Sequence, residues 1–90
     1  MLKHQITAGT EEKSDVRITV SPGTSGREIF MEKIPHPRFC QATMDLVNRI
    51  LDEMGEDSVQ VRISDFGALE FVIEARLRAA VKEARRDATC

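Results

Sequence analysis

Residues 58–64 read S-V-Q-V-R-I-S, and this stretch restricts the fold more than any other in the chain. Val59, Val61 and Ile63 alternate with polar residues, which predicts a strand with one face covered and one face wet. The cover is written on either side of it. Before it, Phe39, Thr43, Leu46, Val47, Ile50, Leu51 and Met54 recur at spacings of three and four. That stripe predicts an amphipathic helix of about four turns, stopped by Gly55 in a left-handed cap. After it, Leu69, Val72, Ile73, Leu77, Ala80, Val81 and Ala84 draw a second helical stripe. Elements with one apolar face each must be layered, helices against sheet.

The upstream half supplies the rest of the sheet. Val16, Ile18 and Val20 alternate with Arg17 and Thr19, a second half-covered strand. S-P-G-T-S-G at 21–26 is turn chemistry, and R-E-I-F-M-E-K-I then reads as the hairpin partner of the strand before it. Its facing is open, because Ile29 and Met31 compete with Phe30 and Ile34. P-H-P at 35–37 stops that strand, and Pro37 suits the start of a helix. In D-F-G-A at 65–68, Gly67 is the permissive residue and Asp65 is placed to cap the second helix. The expectation is a small single α+β domain over residues 1–90, of order β-β-α-β-α, with two helices on one face of a small sheet. The strand–helix–strand stretch reads as a parallel crossover if its two strands are neighbours. Residues 1–13 have no periodicity and are expected to be a mobile N-terminal arm.

Charge narrows the function. The net charge is −2 with acids and bases interspersed, so the basic stripe of a nucleic-acid protein is missing. Arg76, Arg78, Lys82, Arg85 and Arg86 gather late, but Glu74 and Glu83 interrupt them, as on a solvated helix face. No apolar run is long enough to span a membrane, and M-L-K-H-Q-I-T-A-G lacks a signal peptide's apolar core. Cys40 and Cys90 make no disulfide framework, so reduced thiols in a cytoplasm are expected.

No residue set reads as a catalytic or metal centre. There is no Gly-rich phosphate loop, His-Glu-x-x-His pair or nucleophile elbow. His36 and Cys40 lie four apart across Pro37, without the further ligands a metal needs. Cys40, at a helix start, reads as a small apolar neighbour of Phe39 before it reads as an activated thiol. Glu11 and Glu12, like Asp52 and Glu53, read as solvated charges. What remains conspicuous is Ser14, between Lys13 and Asp15 at the threshold of a strand: either a polar cap, or a hydroxyl held out for attachment.

A-G-T-E-E-K-S-D-V-R-I-T-V at 8–20, taken with D-F-G-A-L-E at 65–70 and A-R-L at 75–77, resembles the acyl carrier (gamma) subunit of bacterial citrate lyase. The resemblance implies a non-catalytic carrier bearing a phosphoribosyl-dephospho-coenzyme A group on a serine of the N-terminal turn. It implies a lyase (beta) subunit and a transferase (alpha) subunit as partners, together with a prosthetic-group transferase. Acetyl and citryl would ride as thioesters on the group. Two positions depart from the family pattern. The family's acceptor is usually the first residue of Ser-Ser-Asp or Ser-Gly-Asp, where this chain has Lys13-Ser14-Asp15. Ser14 is expected to take the group after a one-residue slip; the alternative is an adaptor that keeps the fold unmodified. Phe66 stands where the family commonly has Lys, and the resulting D-F-G-A also resembles the carrier subunit of malonate decarboxylase, which uses the same type of group. A carrier in that complex, or in another hydroxy-dicarboxylate lyase, is therefore a further alternative.

Overall fold

The computed structural model describes residues 2–86. Four strands form one mixed sheet: β1 (Ile6–Gly9), β2 (Val16–Pro22), β3 (Arg27–Lys33) and β4 (Val59–Asp65), in spatial order β1-β2-β4-β3. Helix α1 (Cys40–Met54) follows a single 3-10 turn at Pro37–Phe39, and α2 (Glu70–Arg85) is the last element among the described residues. The α+β class and the two helices packed on the sheet stand as the sequence predicts. The strand inventory and order do not.

Two corrections concern the sheet. First, the segment expected to be an arm contains β1, which pairs antiparallel with β2 from Ile6↔Val20 to Gly9↔Arg17. Leu2, further upstream, is buried in the core, and the Lys3 amide donates to the Ala84 carbonyl at 2.7 Å. Second, β2 and β3 are not a hairpin. β4 lies between them, antiparallel to β2 and parallel to β3. The loop after β2 wraps around the start of β4, with Gly23 N–H donating to Ser58 O and Val59 N–H to Gly26 O, both at 3.2 Å. The most regularly alternating strand thus takes the centre, where both its edges are paired. The β3–α1–β4 connection is the parallel crossover, its helix spanning the distance that a tight turn cannot.

The core joins Val16, Ile18 and Val20 of β2 and Val59, Val61 and Ile63 of β4 to one face of each helix. α1 contributes Leu46, Val47, Ile50 and Leu51, and α2 contributes Ile73, Leu77, Ala80, Val81 and Ala84. Ile29 and Met31 pack against this cluster, which resolves the facing of β3; Phe30 lies opposite, under the Arg62 guanidinium at 4.7 Å. The helical stripes are shorter than the periodicity suggests. Phe39 is 41% and Leu69 64% exposed, so both fall outside the core at the helix starts. Gly55 ends α1 with φ 72°, its amide reaching Asp52 O, as its position predicts. Among the described residues, no helix is long and apolar enough to cross a membrane. Cys90 lies outside the described residues.

Candidate functional site at the Ser14 turn

Residues 10–15 connect β1 to β2 and fold back on themselves. The Asp15 amide donates to the Glu12 carbonyl at 3.0 Å, closing a four-residue turn with Lys13 and Ser14 at its centre. Ser14 has φ 70° and is the single non-glycine residue with positive φ among those described. Positive φ at the third position of a turn is normally given to Gly or Asn. Here Ser14 occupies that left-handed position.

The turn is fastened from several directions. Gly9, with φ 90°, lets β1 approach so closely that a Cβ there would lie 1.7 Å from the Val16 carbonyl oxygen. That approach delivers Thr10, whose amide and hydroxyl donate to Asp15 Oδ2 at 3.1 and 2.6 Å. The Glu12 amide donates in turn to Thr10 Oγ1 at 3.2 Å. From β2, the Val16 amide donates to Asp15 Oδ1 at 2.7 Å. From α2, Arg76 donates through Nε to Oδ1 at 3.2 Å and through Nη2 to Oδ2 at 3.0 Å, a two-pronged pairing. The carboxyl of Asp15 is accordingly held down at about 2, first by the Thr10 hydroxyl, then by the Val16 amide and Arg76. From the β4–α2 loop, Phe66 accepts from the Ser14 amide at 2.8 Å and donates to the Asp15 carbonyl at 2.9 Å. A-G-T and S-D are thus two halves of one clasp.

Ser14 itself is exposed. Among the described residues its hydroxyl is in no hydrogen bond, whereas the neighbouring Thr10 hydroxyl is committed to Asp15. Asp65 does not cap α2 directly. Its Oδ1 accepts from Gly67 and Ala68 at 3.0 and 2.8 Å, fixing the turn before the helix, and α2 begins at Glu70 without a side-chain cap. Gly67 (φ 95°) passes within contact range of the Ser14 backbone: a Cβ there would sit 4.0 Å from Ser14 Cα.

Two depressions adjoin this loop and share Asp65 and Gly67 on their walls. One, of about 560 Å³, lies beside the Ser14 turn between Lys13, Lys33, Pro35 and Phe66. The other, of about 430 Å³, is apolar and runs between the starts of the helices, lined by Phe39, Leu46, Ala68 and Ile73. The remaining sequence candidates gather nowhere near a common centre of chemistry. His36 Nδ1 accepts from the Arg38 amide at 3.1 Å and caps the 3-10 turn; Cys40 is a half-buried free thiol opening α1. Among the described residues no three His, Cys, Asp or Glu side chains converge as metal ligands. Arg76 was readable only as part of a solvated basic face, and nothing in its own segment marks it as the partner of Asp15, 61 positions away.

Residues 3–84 match the acyl carrier protein family model described as malonate decarboxylase delta subunit (MdcD). The citrate lyase acyl carrier protein of Lacticaseibacillus casei is 39% identical over 88 residues, covering 98% of this chain and 87% of its own. That of Halothermothrix orenii is 33% identical over 87 residues, covering 97% and 93%. A chain in the crystal structure of a Pseudomonas malonate decarboxylase hetero-tetramer in complex with malonate superposes with a TM-score of 0.71. It covers 91% of this chain and 84% of its own at 21% identity, a likeness of fold.

Proposed function

The chain belongs to the acyl carrier protein family of the citrate lyases, and from that premise we propose that it holds acetyl and citryl as thioesters on a phosphoribosyl-dephospho-coenzyme A group attached to Ser14. The observation that carries this reading is the Ser14 hydroxyl, exposed and unengaged at the centre of a turn fastened to three elements. Lys13 offers an amine where a phosphodiester needs an oxygen, and Thr10 is occupied by Asp15. The residues present fit the group. The acceptor oxygen stands clear of the fold, and the hollow of about 560 Å³ beside it adds room and cationic side chains at the point of attachment.

When bound, the group supplies a thiol at the end of a long arm. The chain's contribution is the anchor. A tether fixed at a rigid point confines the thioester to the reach of the partner active sites and raises its effective concentration there. Each residue of the clasp serves that rigidity: Asp15 orients the turn, Arg76 ties it to α2, and Phe66 ties it to the end of β4. The partners are a lyase subunit that splits citryl and a transferase subunit that exchanges acetyl for citryl, with a separate enzyme installing the group.

A second reading places the same anchor in a malonate decarboxylase-type complex, favoured by the family model that spans residues 3–84. Both readings require attachment. Intact mass of the chain co-expressed with a prosthetic-group transferase tests it: a mass increment equal to the group is expected, and it is absent in Ser14→Ala. No increment, while a known citrate lyase carrier is loaded by the same enzyme, would leave an unmodified adaptor. Citryl or malonyl transfer to the loaded chain then separates the two complexes.

A further inference from the structure

We propose that the hollow between Lys13, Lys33 and Phe66 is a nucleotide seat that receives the phosphate- and adenine-bearing base of the arm, an inference that rests on the carrier reading. Phe66 is bonded through its backbone N–H and C=O to the Ser14 turn, and its side chain lines the hollow beside that turn. The Lys33 ammonium stands 5.1 Å from the Phe66 ring centroid, a cation–π contact that keeps its charge at the rim of the hollow. Lys13 lines the same hollow from the Ser14 side. Among the described residues neither lysine is in an ion pair, although most of the arginines are.

The acid on the wall, Asp65, is drawn to the Gly67 and Ala68 amides, and Asp15 is spent on Thr10, Val16 and Arg76. Two ammonium groups outside any ion pair and an aromatic ring around one hollow are the chemical complement of phosphates joined to a purine: charge for the phosphates, a π-face for the base. Lys13 and Phe66 line the same hollow, one from the turn and one from the end of β4.

The probe is 3′-dephospho-coenzyme A titrated into the unmodified protein, followed by amide chemical shifts, with ADP and pantetheine as part-probes. The expected result is saturable shifts confined to residues around 13–15, 33–35 and 65–67 with dephospho-coenzyme A and with ADP, and none there with pantetheine. Phe66→Leu should weaken binding about fivefold or more, as loss of a stacking aromatic does, and Lys13→Gln with Lys33→Gln should remove its salt dependence. Thermal unfolding of each variant checks that the fold is kept. Shifts with pantetheine alone, no saturable shifts, or binding indifferent to all three substitutions would overturn the proposal. Mass loading of Ser14 is read separately: a loaded chain without nucleotide binding removes the seat and leaves the carrier, and binding without loading removes the attachment.

Discussion

Ser14 and Phe66 face each other across the end of the sheet, the serine amide donating to the phenylalanine carbonyl at 2.8 Å and the phenylalanine amide donating to Asp15 O at 2.9 Å. One step past Val16↔Asp65 the β2–β4 register sets Asp15 opposite Phe66, and because Ser14 bonds Phe66 as well, two residues stand against one, as in a bulge. The Ser14 turn is therefore tied by backbone bonds to the end of the two central strands. If it carries the proposed group, its anchor is held by the sheet and motion is left to the arm.

Ser14 occupies a left-handed position that suits glycine. Ser14→Gly should therefore raise stability by about 1 kcal/mol or less, relief of strain outweighing the freedom glycine adds to the unfolded chain. Chemical denaturation measures this. The same variant should lose all prosthetic-group loading, so stability and function move in opposite directions. A drop in stability would make Ser14 a structural cap.

Asp15 links the clasp to pH. Its folded-state carboxyl titrates at about 2, below the ordinary value of 3.8, so the unfolded chain binds the proton more readily. The stabilisation it gives is complete above the unfolded value and is lost as pH falls from about 5 towards 2. Asp15→Asn should lower the urea midpoint at pH 7 and flatten its fall between pH 5 and pH 3. Arg76→Gln should do the same more weakly, since Thr10 and Val16 remain. An unaltered pH profile in Asp15→Asn would exclude the clasp as an acid-sensitive element.

Gly9 and Gly67 both have positive φ, yet they should respond differently. At Gly67 a methyl group meets nothing closer than Ser14 Cα at 4.0 Å, so Gly67→Ala should cost only the backbone strain, roughly 1–2 kcal/mol. At Gly9 the methyl would collide with the Val16 carbonyl, and Gly9→Ala should cost more, separating β1 from β2 at that end. Thermal unfolding ranks the two; equal losses would contradict the close approach.

The helices and the two central strands were legible because their apolar residues repeat at 3.6 or 2 and their burial follows the repeat. β1 was not. Ile6–Gly9 is a four-residue edge strand with no fully buried residue, and it exists through its partner, including a 2.8 Å hydrogen bond between the Thr7 and Thr19 hydroxyls. The placement of β4 between β2 and β3 was hidden because order in the chain suggests a hairpin, while pairing rewards the strand that can use both edges. At the candidate site, the exposure of Ser14 was legible in its polar, charge-flanked stretch. Its positive φ was not, since serine carries no signal for it, and neither was Arg76, whose role depends on α2 crossing the end of β2.

The central claim is that Ser14 Oγ, and no other atom of the turn, carries the prosthetic group. Peptide fragmentation of the chain loaded by a prosthetic-group transferase tests it most directly. The account predicts the whole increment on Ser14, retained in Lys13→Ala and absent in Ser14→Ala. An increment that persists in Ser14→Ala, or that maps to Thr10, would contradict it.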